Sequence, residues 1–217
     1  MVTARAVSRT TPPLVVDLIG LVPYPSEFFP DLLSRIEPEG SVLEPVFGAV
    51  LGIFLAYLGA GWLALGDHFG FAGTLAGVVL VGATIGVLGV FFGGGALAKA
   101  TDLLKGEGDS SRMHVVLAFP AWVFIPVLAL VVPTELALYG AQVFSSARPD
   151  APQAVVLALY GLELAAVVLY AGMVAKGTAL ATKFRGVRAA QVIGVAAVEL
   201  VLLVALVLVV SAICFIP

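Results

Sequence analysis

Two carboxylates set inside otherwise apolar stretches, Glu163 and Glu199, are the residues whose type and placement could do chemistry. At about 1.5 Å per helical residue, Glu163 lies ~15 Å deep from a boundary near Gln153, and Glu199 lies ~16 Å deep from a boundary near Arg188, so each approaches the middle of a ~30 Å hydrocarbon core. Tyr160, Glu163 and Tyr170 fall on one helix face at spacings of three and seven, and Gln191, Val195 and Glu199 share another at spacings of four. No lysine or arginine is expected at that depth. Ionisable groups inside a membrane point to a proton or cation relay, or to a site for a polar headgroup. Against this, the carboxyls can hydrogen-bond the tyrosines, Gln191 or each other and so tie helices together. A conducting path needs polar residues continuing to both faces, and these helices offer few. The tie is therefore favoured.

Other chemical signatures are absent from the sequence. No G-x-S-x-G elbow occurs, and Gly93-Gly-Gly-Ala-Leu-Ala-Lys99 lacks the Gly-Lys-[Ser/Thr] ending that cradles phosphates. His68 and His114 are expected at opposite membrane faces, so they read as interfacial residues and cannot share a metal. Cys214 is the single cysteine, which excludes an intrachain disulfide or a multi-cysteine metal site. Glu135 reads as the marker of a helix end near the outer interface. No catalytic residue, cofactor or metal ligand is assigned, and an enzyme is not expected.

The elements that must hold these residues are membrane spans. Of 217 residues, 61% are hydrophobic and 12% charged, too little polar surface to cover a soluble globule. Basic residues are sparse and scattered, which argues against nucleic acid as a partner. Five apolar segments are each long enough to span: Pro45 to Gly66, Gly70 to Ala98, Val115 to Leu138, Ala154 to Ala175, and Ala189 to Ile216. The second is free of charge and rich in glycine. Its Gly73-x-x-x-Gly77, Gly82-x-x-x-Gly86 and Gly89-x-x-x-Gly93 patterns allow helix backbones to approach closely, which makes it the expected packing centre of a bundle. The third carries Pro120, Pro126 and Pro133 and is expected to bend or break. Between them, residues 105–112 read as a flexible polar turn.

Residues 1–43 form the segment outside the membrane, and 44–217 the five-helix domain. The apolar patch Leu14 to Val22 is interrupted by Asp17 and followed by no small-residue cleavage site, so it reads as retained. From Ser26 to Ile36, Phe28, Phe29, Leu32, Leu33 and Ile36 recur at helical spacing, which predicts a short amphipathic helix in the headgroup region or under the bundle. With the N-terminus in the cytoplasm, ten of the eleven basic residues lie inside and only Arg148 lies outside.

Several stretches carry a family resemblance. Tyr24-Pro-Ser-Glu-Phe-Phe-Pro30 precedes the spans, Leu103-Leu-Lys-Gly-Glu-Gly108 and Val115-Val-Leu-Ala-Phe-Pro120 flank the start of the third, and Thr182-Lys-Phe-Arg-Gly-Val-Arg-Ala-Ala190 follows the fourth. Together they resemble the prokaryotic branch of the Yip family, the Rab/Ypt-interacting five-span membrane proteins, over residues 22 to 212. In eukaryotes the family implies ER and Golgi vesicle traffic with Rab GTPases as partners. The Asp-Leu-Tyr-Gly-Pro signature is missing here and the N-terminal domain is short, which argues against a Rab-type GTPase as partner of this chain. Arginine outnumbers lysine seven to four, in keeping with a prokaryotic source.

The expectation is an all-α, polytopic transmembrane bundle of five helices with a short N-terminal amphipathic helix, in a prokaryotic cytoplasmic (inner) membrane with the C-terminus outside. The expected role is a non-enzymatic organiser or adaptor contacting the lipid bilayer and other membrane proteins or further copies of itself. Two alternatives are a small carrier using Glu163 and Glu199, and a subunit of a larger complex docked through the glycine faces of the second helix.

Overall fold

The structure, a computed structural model, describes residues 29–30, 32–33, 43–106, 108–147, 151–184 and 187–200. Among these residues the chain is helical and contains no strand. Helix α1 spans Leu43–Trp62, α2 Gly66–Leu103 and α3 Ser110–Ala118. A 3-10 helix, Phe119–Val123, leads into α4, Phe124–Tyr139, and a second, Gly140–Phe144, closes it. Helix α5 spans Gln153–Ala181, and residues 187–200 form α6. Four stretches, Leu43–Trp62, Gly66–Leu103, Ser110–Phe144 and Gln153–Ala181, are long and apolar enough to cross a bilayer. The fifth span expected over Ala189–Ile216 is described only as far as residue 200. The amphipathic helix expected over Ser26 to Ile36 lies mostly outside the described residues, but Phe29, Leu32 and Leu33 are all buried in the core.

Helix boundaries follow local chemistry. At the end of α2, the Gly106 N–H donates to the Thr101 carbonyl and the Lys105 N–H to the Asp102 carbonyl, the paired bonds of a Schellman cap. Such a cap needs a left-handed residue after the helix, and Lys105 supplies it with φ 61°. Asp109 then caps α3, its side chain accepting from the Ser111 N–H at 2.9 Å. The turn expected to be flexible is thus tied at both ends. Because a side chain strains the left-handed region, Lys105→Gly is expected to stabilise the fold by about 1 kcal/mol in detergent thermal unfolding.

Near the other end, Gly70 departs from helical geometry with φ 67° and ψ 171°, a conformation open to glycine. The kink separates Gly66–Phe69 from the long apolar run. Asp67, in that first turn, accepts from the Ser145 and Ser146 hydroxyls and from the Ser146 N–H, joining the α1–α2 turn to the segment after α4. At the opposite end the loops after α2 and α5 meet, with the Phe184 ring lying against Gly106.

The core forms around the proline break in the third span. Phe119 and Phe124 flank it and are fully buried. Phe119 lies 5.2 Å from Phe47, and Phe124 stacks on Phe54 at 4.2 Å while meeting the Tyr170 ring at 5.3 Å. One aromatic cluster therefore joins α1, α4 and α5. Of the three prolines, Pro120 marks the break, whereas Pro126 sits in the first turn of α4 and Pro133 remains inside it.

Candidate functional site

Glu163 lies on α5 three residues after Tyr160, so both point to one side of the helix. That side meets Glu135 of α4 and Tyr57 of α1 around a small, partly open cavity of about 20 Å³, lined also by Trp62, Val143 and Phe144. Both carboxyls are buried, Glu135 at 5% exposure and Glu163 at 7%. The Tyr57 hydroxyl donates to Glu135 Oε2, and the Tyr57 ring meets Phe144 edge-on at 5.7 Å. The space holds about one water molecule. Two carboxyls and two phenols around such a volume can share a proton or hold a small cation. Among the described residues no group of three His, Cys, Asp or Glu is placed to bind a metal.

Other expected members of this cluster lie elsewhere. The Tyr170 hydroxyl donates to the Leu117 carbonyl at 3.1 Å, tying α5 to α3. Gln191 is exposed, because α6 turns Ala189, Val192 and Ala196 into the core instead. Glu199 has a basic partner, contrary to the sequence reading: Lys99 Nζ lies 3.3 Å from its Oε1. Lys99 ends the charge-free run but not the helix, since α2 continues to Leu103, and its flexible stem can reach back along α2. With Lys99 69% exposed and Glu199 24%, a double-mutant cycle of Lys99→Met and Glu199→Gln is expected to give a coupling of about 1 kcal/mol or less.

The glycines of α2 differ in what an added side chain would meet. Gly82 and Gly86 lie against Gly48 and Gly52 of α1, so closely that a Cβ on Gly52 would stand 2.0 Å from the Gly82 carbonyl oxygen. A Cβ on Gly93 would stand 2.9 Å from Leu117 Cδ1. By contrast, a Cβ on Gly77 or Gly89 would meet nothing within 4 Å, and one on Gly73 would meet only the Phe69 side chain of its own helix, at 3.5 Å. These three face an apolar groove of about 730 Å³ along α1 and α2.

Sequence reasoning missed Tyr57, the buried role of Glu135, and Gly48 and Gly52. The last two form the same small-x-x-x-small spacing as their partners and were legible by that signal. Tyr57 and Glu135 stand 78 residues apart, with no local pattern linking them. His114 packs its ring on Gly94, and its Nε2 lies 3.1 Å from the Phe91 carbonyl oxygen.

No protein-family model, curated protein or solved structure matches this chain.

Proposed function

We propose that this chain is a non-enzymatic organiser or adaptor of a membrane, a helical scaffold whose outer faces meet lipid and other membrane proteins. One observation carries the reading: three sets of polar side chains among the described residues form separate ties between different pairs of helices. Tyr57 with Glu135 joins α1 to α4, Tyr170 with the Leu117 carbonyl joins α5 to α3, and Lys99 with Glu199 joins α2 to α6. Large apolar residues point outward along α2 and α5, among them Leu80, Leu88, Leu164 and Val168, as lipid-facing or partner-facing surfaces require. The proposed orientation puts the end formed by the loops after α2 and α5 in the cytoplasm, following the bias of basic residues. A Yip-like role is the form of this proposal that the resemblance favours.

The cavity shared by Glu135 and Glu163 supports a second reading, a proton- or cation-coupled carrier in which that pair, rather than Glu163 with Glu199, binds the ion. Reconstitution into vesicles with a proton or sodium gradient decides between the two. The scaffold predicts flux no greater than in empty vesicles, and Glu163→Gln without effect on it. Flux that Glu163→Gln abolishes would establish the carrier. For the adaptor role itself, photo-crosslinkers at Leu164 and Val168 in native membranes should capture a defined integral membrane protein. Capture of lipid alone would refute it.

A further inference from the structure

The groove along α1 and α2 is open on one side, where Leu55, Val81 and Ile85 at its edge are exposed. Its floor includes Gly73, Gly77 and Gly89, and its lining is apolar apart from Thr74 and Tyr170. Leu200 also lines it. This residue is the last one described on α6, and its neighbour Glu199 is tied to Lys99, just past the Gly93 end of the groove.

We propose that the groove is the seat of the chain's own residues 201–216. The last described residue of α6, Leu200, lies at the groove's edge, so the residues that follow it need no linker to reach the seat. These sixteen residues carry no charge and consist almost wholly of Val, Leu, Ile and Ala, with Ser211, Cys214 and Phe215 among them. Such side chains match an apolar wall, and the absent side chains of Gly73, Gly77 and Gly89 leave room for a branched residue to approach the α2 backbone. Length agrees as well. As an α-helix, sixteen residues rise about 24 Å, which reaches from the level of Gly93 to that of Gly77 when the segment runs antiparallel to α2. A second copy of the chain or a partner helix would have to displace a segment already covalently delivered to the site, at a high effective concentration.

Cys214, the only cysteine, makes the test direct. It lies fourteen residues beyond Leu200, about 21 Å along a helix, which brings it level with the stretch of α2 between Gly77 and Val81. Gly77→Cys and Val81→Cys are introduced singly into the full chain in native membranes. Gly95→Cys serves as control, since a Cβ there meets nothing within 4 Å and the residue lies outside the groove. Each variant is treated with an oxidant and, in parallel, with a short bis-maleimide, and then run without reductant. The expected result is an intramolecular product, migrating as monomer with altered mobility, for most of the Gly77→Cys or Val81→Cys protein and for none of the control. A covalent dimer would overturn the proposal in favour of a second copy. So would free thiols at both groove positions, because the groove would then be occupied by lipid or another protein.

Discussion

Substitution of Gly86 by alanine is expected to destabilise the protein by about 2–3 kcal/mol, the upper part of the usual cost of overpacking. The added Cβ would fall 2.1 Å from the Gly48 carbonyl oxygen and 2.7 Å from the Gly52 Cα. Both are backbone atoms, which cannot rotate away as a flexible side chain would. Helices α1 and α2 must therefore separate along their whole contact, losing dispersion contacts on both sides. Gly52→Ala meets the same obstacle from the opposite helix, at 2.0 Å from the Gly82 carbonyl oxygen and 2.5 Å from the Gly86 Cα. The same change at Gly95 or Gly161 meets no atom within 4 Å and should be neutral or stabilising by up to about 1 kcal/mol through helix propensity. Thermal unfolding in detergent measures all four. Equal effects at Gly86 and Gly95 would mean that the two helices do not approach at this point.

A second large effect is expected at the cavity. Tyr57→Phe removes the donor that Tyr57 gives to Glu135 and leaves the ring in place against Phe144, at an expected cost of about 1–3 kcal/mol. Glu135→Gln keeps an oxygen that can accept from Tyr57, so its cost should be the smaller of the two. Detergent unfolding of the single and double variants separates this pair from its surroundings. Additive losses would show that α1 and α4 are not joined through these side chains.

Much of this architecture is legible in the amino-acid order, and the reasons differ from element to element. The apolar segments are visible because a bilayer imposes length and hydrophobicity on each span separately, with no information needed from its neighbours. Gly70, where the charge-free run begins, is also where the backbone of α2 kinks. Three prolines announced a broken third span, but which of them breaks it depends on surroundings: the aromatic cluster around Phe119 and Phe124 sits at Pro120, while Pro133 is carried inside α4. The site was less legible. Depth along an upright rod placed Glu163 and Glu199 at one level, yet depth says nothing about which helices are neighbours. Glu163 meets α4 and α1, and Glu199 meets Lys99 of α2. Glu135 was read from its nearness to a helix end, a measure blind to the phenol that α1 brings from 78 residues away.

The five-residue 3-10 helix at Phe119–Val123 has a consequence for the aim of α4. A 3-10 helix turns 120° per residue where an α-helix turns 100°, so five residues advance the azimuth by about 100° more than an unbroken α-helix would. Had the third span remained a regular rod, Glu135 would be swung by roughly a quarter of a turn, off the line to Tyr57. The proline break thus acts as an angular offset, dialling the lower and upper halves of one span to different compass bearings.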